Sequence, residues 1–285
     1  MRARLESRID RLPVLPTVVA RLMVLDREDS GYFDEVLGLI EADPTFAARI
    51  LAAANAAASS PRDPVASVRM ALARLGSQGA TRAIMDAAVS KVFIPRSDWE
   101  KSLWRHALKV GGALRALTGH ETSGMIDPDV AYAAGLLHDV GRLVMFQEAP
   151  EALRLVDEGN WDTPQQLVDA ERRVCGITHA ELGARACQAW GMPRILVDVV
   201  RRHHHPVPNP ATPVDHLVSM TRFADLAMFP SALPGSASPE DEWIADYLLP
   251  RRPPNLSDLG VDGLRRVIEN TVAEAESISV SLGLS

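Results

Sequence analysis

Apolar residues recur along this chain at the three- and four-residue spacing of an α-helix. Near the end of the chain, Val261, Leu264, Val267, Ile268 and Val272 share one helical face, which predicts an amphipathic helix over about 261–281. No long segment alternates apolar and polar residues in the way that a half-buried strand does. The pattern therefore predicts an all-α fold.

Prolines and capping residues mark the predicted starts of several helices. Asp127 is a good N-cap residue, and Pro128 suits the first helical turn. Thr178 and Glu181 have the spacing of a capping box, in which each side chain bonds to the backbone N–H of the other residue. Together with the apolar spacing, these signals predict helices over residues 14–28, 32–42, 44–58, 66–75, 77–93, 99–119, 128–148, 164–175, 179–190, 193 to about 203, and 213–229.

The predicted helices group into three parts. An N-terminal helical module covers residues 1–95, and a second helical module with most of the histidines covers residues 96–230. Six prolines lie between positions 230 and 254, which predicts a long connection with one short helix near 240–249. Residues 231–285 are therefore predicted to be a connection followed by the C-terminal helix.

Composition and charge limit the classes of function. The chain has 285 residues, of which 47% are hydrophobic and 5% aromatic, so a sizeable core is possible. A net charge of −7 and few aromatic side chains do not favour nucleic-acid binding. We expect no membrane span, because no apolar run reaches about 18 residues. The charged N-terminus is unlike a signal peptide. With Cys175 and Cys187 as reduced thiols, this predicts a cytoplasmic protein.

The pair His138-Asp139 is the first candidate for chemistry, because it lies in the apolar segment AYAAGLLHDVGRLVMF. Burial of an ionised carboxylate is costly unless the group is paired or binds a metal. Neighbouring side chains on a helix point about 100° apart, so the pair could bind two metal ions or one ion from two sides. A buried, hydrogen-bonded structural pair is the alternative interpretation.

Further ligating side chains stand on other apolar segments. His106 precedes the pair, while His179, His203-His204 and Asp225 follow it on separate predicted helices. Taken alone, each has an ordinary interpretation, such as a core histidine, a solvated helix end or, for Asp225, an ion pair with Arg222. Together they favour one shared site, and imidazole with carboxylate ligation suits Fe, Mn or Zn.

Glu171 is interpreted differently from these residues. It lies near Asp169 in a charged segment, which predicts a solvent-facing helix surface for both carboxylates.

In this order the residues resemble the HD superfamily of metal phosphohydrolases and, more narrowly, the HDOD family, the HD-related output domains of bacterial signalling. The resemblance covers about residues 12–228 and implies an N-terminal helical bundle packed on an HD-like bundle that holds one or two divalent transition-metal ions. Its metal ligands would be His106, His138, Asp139, His179, His203, His204 and Asp225. The matching pieces are Leu12-Pro13, Leu15-Pro16, Asp43-Pro44, Ala54-Asn55, Leu75-Gly76, Trp104 with His106, Gly135 to Gly141, Glu171 with Gly176 and His179, Trp190 to Pro193, and His203 to Pro206.

The chain departs from the HD-GYP cyclic-di-GMP phosphodiesterases in two places. No Gly-Tyr-Pro motif follows His203-His204, and Arg142 stands where those enzymes usually have a lysine. Efficient hydrolysis of cyclic di-GMP is therefore not expected.

Two functions remain open. One is a signalling protein that binds partner proteins, with a retained metal site. The other is a metal-dependent phosphohydrolase, in which Asp139 would bridge two ions and Arg142 would hold a phosphate-bearing ligand through a forked contact.

Overall fold

The computed structural model describes residues 1–9, 31–41, 67–92, 97–159, 163–229 and 240–281, with isolated residues between these ranges. Every regular element in the described part of the chain is helical, which confirms the predicted all-α fold class. Two compact units are present: one is Pro13–Ile94, and the other combines Met1–Leu12 with Pro95–Ser285. The first residues and the predicted tail thus group with the His-bearing module. Among the described helices, none has the length and hydrophobicity that a membrane crossing requires.

The helices are numbered here in chain order over the described residues. They are α1 (Arg2–Ile9), α2 (Tyr32–Glu41), α3 (Val68–Val92), α4 (Asp98–Thr118), α5 (Pro128–Leu137), α6 (Val140–Glu148), α7 (Pro150–Asp157), α8 (Pro164–Cys175), α9 (His179–Ala189), α10 (Arg194–Arg202), α11 (Pro213–Met228) and α12 (Val261–Ser281). The predicted helices 14–28 and 44–58 lie mostly outside the described residues. Helices α1 and α7 were not predicted.

Helix α3 contains a kink at Gly76, whose φ of 67° and ψ of 177° are non-helical. This backbone conformation suits glycine, because an L side chain is disfavoured at positive φ. The two helices predicted over 66–75 and 77–93 therefore meet at this residue.

The single helix predicted over 128–148 is wrong. Helix α5 ends at Leu137 and α6 begins at Val140, so the chain leaves the helical path at His138-Asp139. Asp139 has φ −101° and ψ 13°, outside the α-helical region. The flanking residues are apolar on both sides, so periodicity alone carries no signal of the break. As a result, the two side chains are presented at a helix junction rather than along one helix.

A close approach of backbones brings α4 against α5. A Cβ atom at Gly135 would lie 2.6 Å from the Cα atom of Gly111, a distance that real Cβ contacts do not reach. Glycine at this position therefore allows α4, which carries His106, to pack directly on α5, the helix that ends just before His138.

The C-terminal segment is packed into the His-bearing unit. Short helical turns from Asp241 to Leu256 bury Ile244 and Leu248, and α12 packs on α4. Asn255 accepts a hydrogen bond from the backbone N–H of Thr122, at 2.9 Å, through its carbonyl oxygen. The segment therefore supports the helix that carries His106.

We expect Leu264→Ala to destabilise this unit by about 2–5 kcal/mol, the usual effect of truncating a buried leucine. The Leu264 side chain is 1% exposed on the inner face of α12. Chemical unfolding should show the loss. Glu269→Ala, at an exposed position of the same helix, is the control. Equal stability of the two variants would show that α12 is dispensable for this unit.

Candidate metal centre

The seven side chains predicted as metal ligands come from five places in the His-bearing unit. Helix α4 carries one, the α5–α6 junction two, the start of α9 one, the end of α10 two, and α11 one. The structure brings all seven together. In that order they are His106, His138, Asp139, His179, His203, His204 and Asp225.

One group consists of Asp139, His179, His203 and His204, whose potential ligand atoms lie within 4.8 Å of one another. The Nε2 atom of His179 is 2.8 Å from Nε2 of His204 and 3.1 Å from Nε2 of His203. Asp139 Oδ1 is 3.2 Å from the same His179 atom. Three imidazole nitrogens and a carboxylate oxygen therefore converge on one point.

The second group consists of His106, His138 and Asp139. Asp139 faces it through its other oxygen, because Oδ2 lies 3.6 Å from His138 Nε2. Asp225 Oδ1 is 2.9 Å from His106 Nε2 and 3.9 Å from His138 Nε2. Asp139 is thus shared by both groups, with one carboxylate oxygen directed toward each.

Hydrogen bonds from Nδ1 to backbone carbonyl oxygens fix two of the imidazole rings. His138 Nδ1 is 2.7 Å from the carbonyl oxygen of Gly135, and His203 Nδ1 is 2.7 Å from that of Val200. Since a carbonyl oxygen only accepts, each Nδ1 carries a proton, which leaves Nε2 as the nitrogen that can offer a lone pair. His138 Nε2 is buried and has no hydrogen-bond partner. These rings are oriented as metal-binding histidines usually are, with Nε2 directed into the cluster.

The pKa values of these groups shift in opposite directions. Burial raises the pKa of Asp139, but His138 and His179 lower it by more, so that it lies well below its ordinary value. Burial lowers the pKa of His179, but the carboxylates of Glu171 and Asp139 outweigh burial and raise it to about 10. Burial and the neighbouring His203 lower the pKa of His204. Both Asp139 Oδ1 and His204 Nε2 lie within hydrogen-bond distance of His179 Nε2.

The interpretation of Glu171 as solvent-facing is wrong, because its side chain is fully buried. Its Oε2 atom accepts hydrogen bonds from His179 Nδ1, at 2.7 Å, and from the His179 backbone N–H, at 2.8 Å. A signal was present in the sequence: Glu171 lies four residues from both Leu167 and Cys175, on the apolar stripe of its helix. Asp169 is exposed, as predicted.

Arg142 is a buried residue with two carboxylate partners. Its Nη2 atom donates to Asp157 Oδ1 at 2.6 Å, and its Nη1 atom lies 3.5 Å from Glu171 Oε1. The phosphate contact predicted for Arg142 stays a prediction.

Comparisons with known proteins give a family match and several similar folds. The family model described as HDOD domain matches residues 12–206. A candidate phosphohydrolase from Shewanella amazonensis SB2B has a TM-score of 0.71 and 21% identity, over 98% of both chains. An HDOD domain protein of unknown function from Geobacter sulfurreducens has a TM-score of 0.63 and 25% identity, over 98% of this chain and 96% of its own.

One curated relative is an uncharacterized protein from Treponema pallidum (strain Nichols). It is 24% identical over 228 residues, which amount to 79% of this chain and 44% of the relative. The chain therefore spans less than half the length of this relative.

Proposed function

Because the chain belongs to the HDOD family, as its resemblance predicted, we propose that it is a signal-transduction protein that holds one or two divalent transition-metal ions at the His-Asp centre. The observation that carries the proposal is the placement of Asp139, whose two oxygens face two separate groups of imidazole nitrogens. A carboxylate in that position is suited to bridging two ions.

The residues present fit a metal ion on chemical grounds. His138 Nε2 is buried without a partner, and an unpaired buried nitrogen is costly unless something occupies its lone pair. Two further Nε2 atoms, those of His203 and His204, face the ring nitrogen of His179. A cation at that point would replace a crowded contact between nitrogens by metal–ligand bonds. The mixture of imidazole and carboxylate suits Fe, Mn or Zn.

We expect metal binding to release a proton from His179 and to strengthen as the pH rises. The pKa of His179 is raised to about 10, so the ring is protonated below that pH, and a metal ion must displace the Nε2 proton. His204 releases none, because its pKa is lowered and it is already neutral. Calorimetric titration near about pH 7, in two buffers of different ionisation enthalpy, counts the released protons. Binding without proton release would contradict this assignment.

Hydrolysis of a phosphoester is the second candidate function. It is favoured by the partial exposure of the Asp139 and Asp225 side chains, 19% and 23%, which lets a ligand reach the buried rings of His138, His179 and His203. Bound metal would supply Lewis acidity and a lowered water pKa at this place. Asp139 would hold the bound metal between the two histidine groups. Arg142, one helical turn further on, lies beside the site with its charge paired to Asp157 and Glu171.

We expect any hydrolytic activity to require Asp139, and we expect cyclic di-GMP to be a poor substrate. The segment after His204 is rich in proline and lacks the Gly-Tyr-Pro motif. Metal-loaded protein should be assayed against a generic phosphodiester, a panel of nucleotides and cyclic di-GMP. Rapid, Asp139-dependent hydrolysis of cyclic di-GMP would overturn this substrate assignment. If the metal-loaded protein hydrolyses none of these substrates, only the signalling function remains proposed.

A signalling role also needs a partner protein, and we place its binding on the unit Pro13–Ile94. This unit contains an apolar cavity of about 240 Å³ whose lining includes Tyr32, Phe33 and Leu72. Pull-down with the full chain, before and after substitution of the exposed Met70, tests this assignment. Unchanged partner recovery would count against it.

A further inference from the structure

Glu171 is a buried carboxylate that is directed at a predicted metal ligand but lies outside the ligand set. Its Oε2 atom accepts from both the ring Nδ1 and the backbone N–H of His179, at 2.7 and 2.8 Å. Because Glu171 Oε2 accepts both hydrogen bonds, the ring of His179 is fixed relative to its own backbone. They also direct Nε2 toward Asp139, 3.2 Å away. A carboxylate at this position also makes the imidazole a stronger electron donor.

The other oxygen of Glu171 leads to a second helix. Oε1 lies 3.5 Å from Nη1 of Arg142, which stands on α6 three residues after Asp139. The guanidinium is held on its far side by Asp157, at the end of α7, with Nη2 to Oδ1 at 2.6 Å. The planar fork of an arginine can hold two carboxylates in fixed directions, which a lysine ammonium cannot do.

We propose that Glu171, Arg142 and Asp157 form a positioning network that sets the orientation of His179 relative to Asp139. The inference rests on the proposed metal function and deepens it. Arg142 belongs to the helix that begins after Asp139, and Glu171 bonds the first residue of α9. The network therefore ties together the two chain segments that supply these ligands. On this account Arg142 acts through Glu171 and Asp157 rather than on a phosphate.

The test is Co²⁺ binding by the full chain, followed by visible absorption, because the d–d bands report both affinity and ligand geometry. Glu171→Gln keeps the shape of the side chain and removes its charge. We expect about 10- to 100-fold weaker Co²⁺ binding, the usual cost of losing such a partner, together with an altered band shape. Arg142→Lys keeps the charge but removes the fork, and we expect a smaller change in the same direction.

Asp169→Asn is the matched control, because it removes a carboxylate from an exposed position on the same helix as Glu171. It should leave both affinity and spectrum as in the wild type. If Glu171→Gln does not fold, as judged by its melting curve, Arg142→Lys decides the question alone.

Two outcomes would overturn the network, and they are distinguishable. A wild type that binds Co²⁺, with Glu171→Gln or Arg142→Lys unchanged in affinity and spectrum, would refute the network and leave the metal site standing. A folded wild type that binds no Co²⁺ would refute the proposed metal function and the network with it.

Discussion

Gly141→Ala is expected to abolish metal binding and to destabilise the His-bearing unit. A Cβ atom at this position would overlap the carbonyl oxygen of His179 and lie 2.7 Å from its carbonyl carbon. It would also lie 2.8 Å from the backbone nitrogen of Gly183. Because these neighbours are backbone atoms, α6 and α9 must separate, and Asp139 would then move away from His179. The cost should be about 3 kcal/mol or more, at the upper end for overpacked cores.

Metal content and the melting temperature measure the two effects of Gly141→Ala. For a unit of this size, that cost corresponds to a fall of roughly 6–12 °C. Gly38→Ala is the control, because it adds the same methyl group at a helical position where no neighbouring atom would lie within 4 Å of it. A Gly141→Ala protein with wild-type metal content would show that this helix contact does not position the site.

Asp139→Asn is expected to lower metal affinity at both groups by more than about 100-fold, since a shared ligand loses its charge. The amide cannot bridge two cations as a carboxylate does. Added metal should stabilise the wild type by about 2.7 kcal/mol at about 100 times its Kd. The variant should gain almost nothing at the same metal concentration.

Thermal unfolding with and without metal, alongside elemental analysis, measures the effect of Asp139→Asn. Asp198→Asn is the control, because it makes the same change on the surface of α10, where Asp198 pairs with Arg194 at 3.4 Å. Equal metal stabilisation of Asp139→Asn and the wild type would remove Asp139 from the ligand set.

The clustered side chains could be predicted from the sequence because each is a strong ligand on an otherwise apolar segment. Burial of a polar side chain such as His138 is costly unless the group has a partner, so the residue type alone carries information. The helix break at His138-Asp139 carried no such signal, because its apolar flanks fit a continuous helix equally well. The break is accompanied by the close contact between Gly141 and α9, which is a tertiary contact that the local sequence does not reveal.

Glu171 and the C-terminal segment show a second limit of sequence reasoning. The spacing of Leu167, Glu171 and Cys175 indicates a buried position for Glu171, but it does not show the contact with His179, eight residues later. The prolines after position 230 predict a long connection with one short helix near 240–249, but they do not reveal that Ile244 and Leu248 become buried. In both cases the deciding contact joins residues that the local pattern does not connect.

The central claim is that Asp139 and the surrounding imidazoles hold a metal ion. Crystals of the full chain grown with Mn²⁺ or Zn²⁺, with data collected at the absorption edge of that metal, test it most directly. We expect an anomalous peak about 2.0–2.3 Å from Asp139 and from the Nε2 atoms of His179, His203 and His204. An ordered His-Asp cluster in metal-supplied crystals with no anomalous peak among these atoms would contradict it.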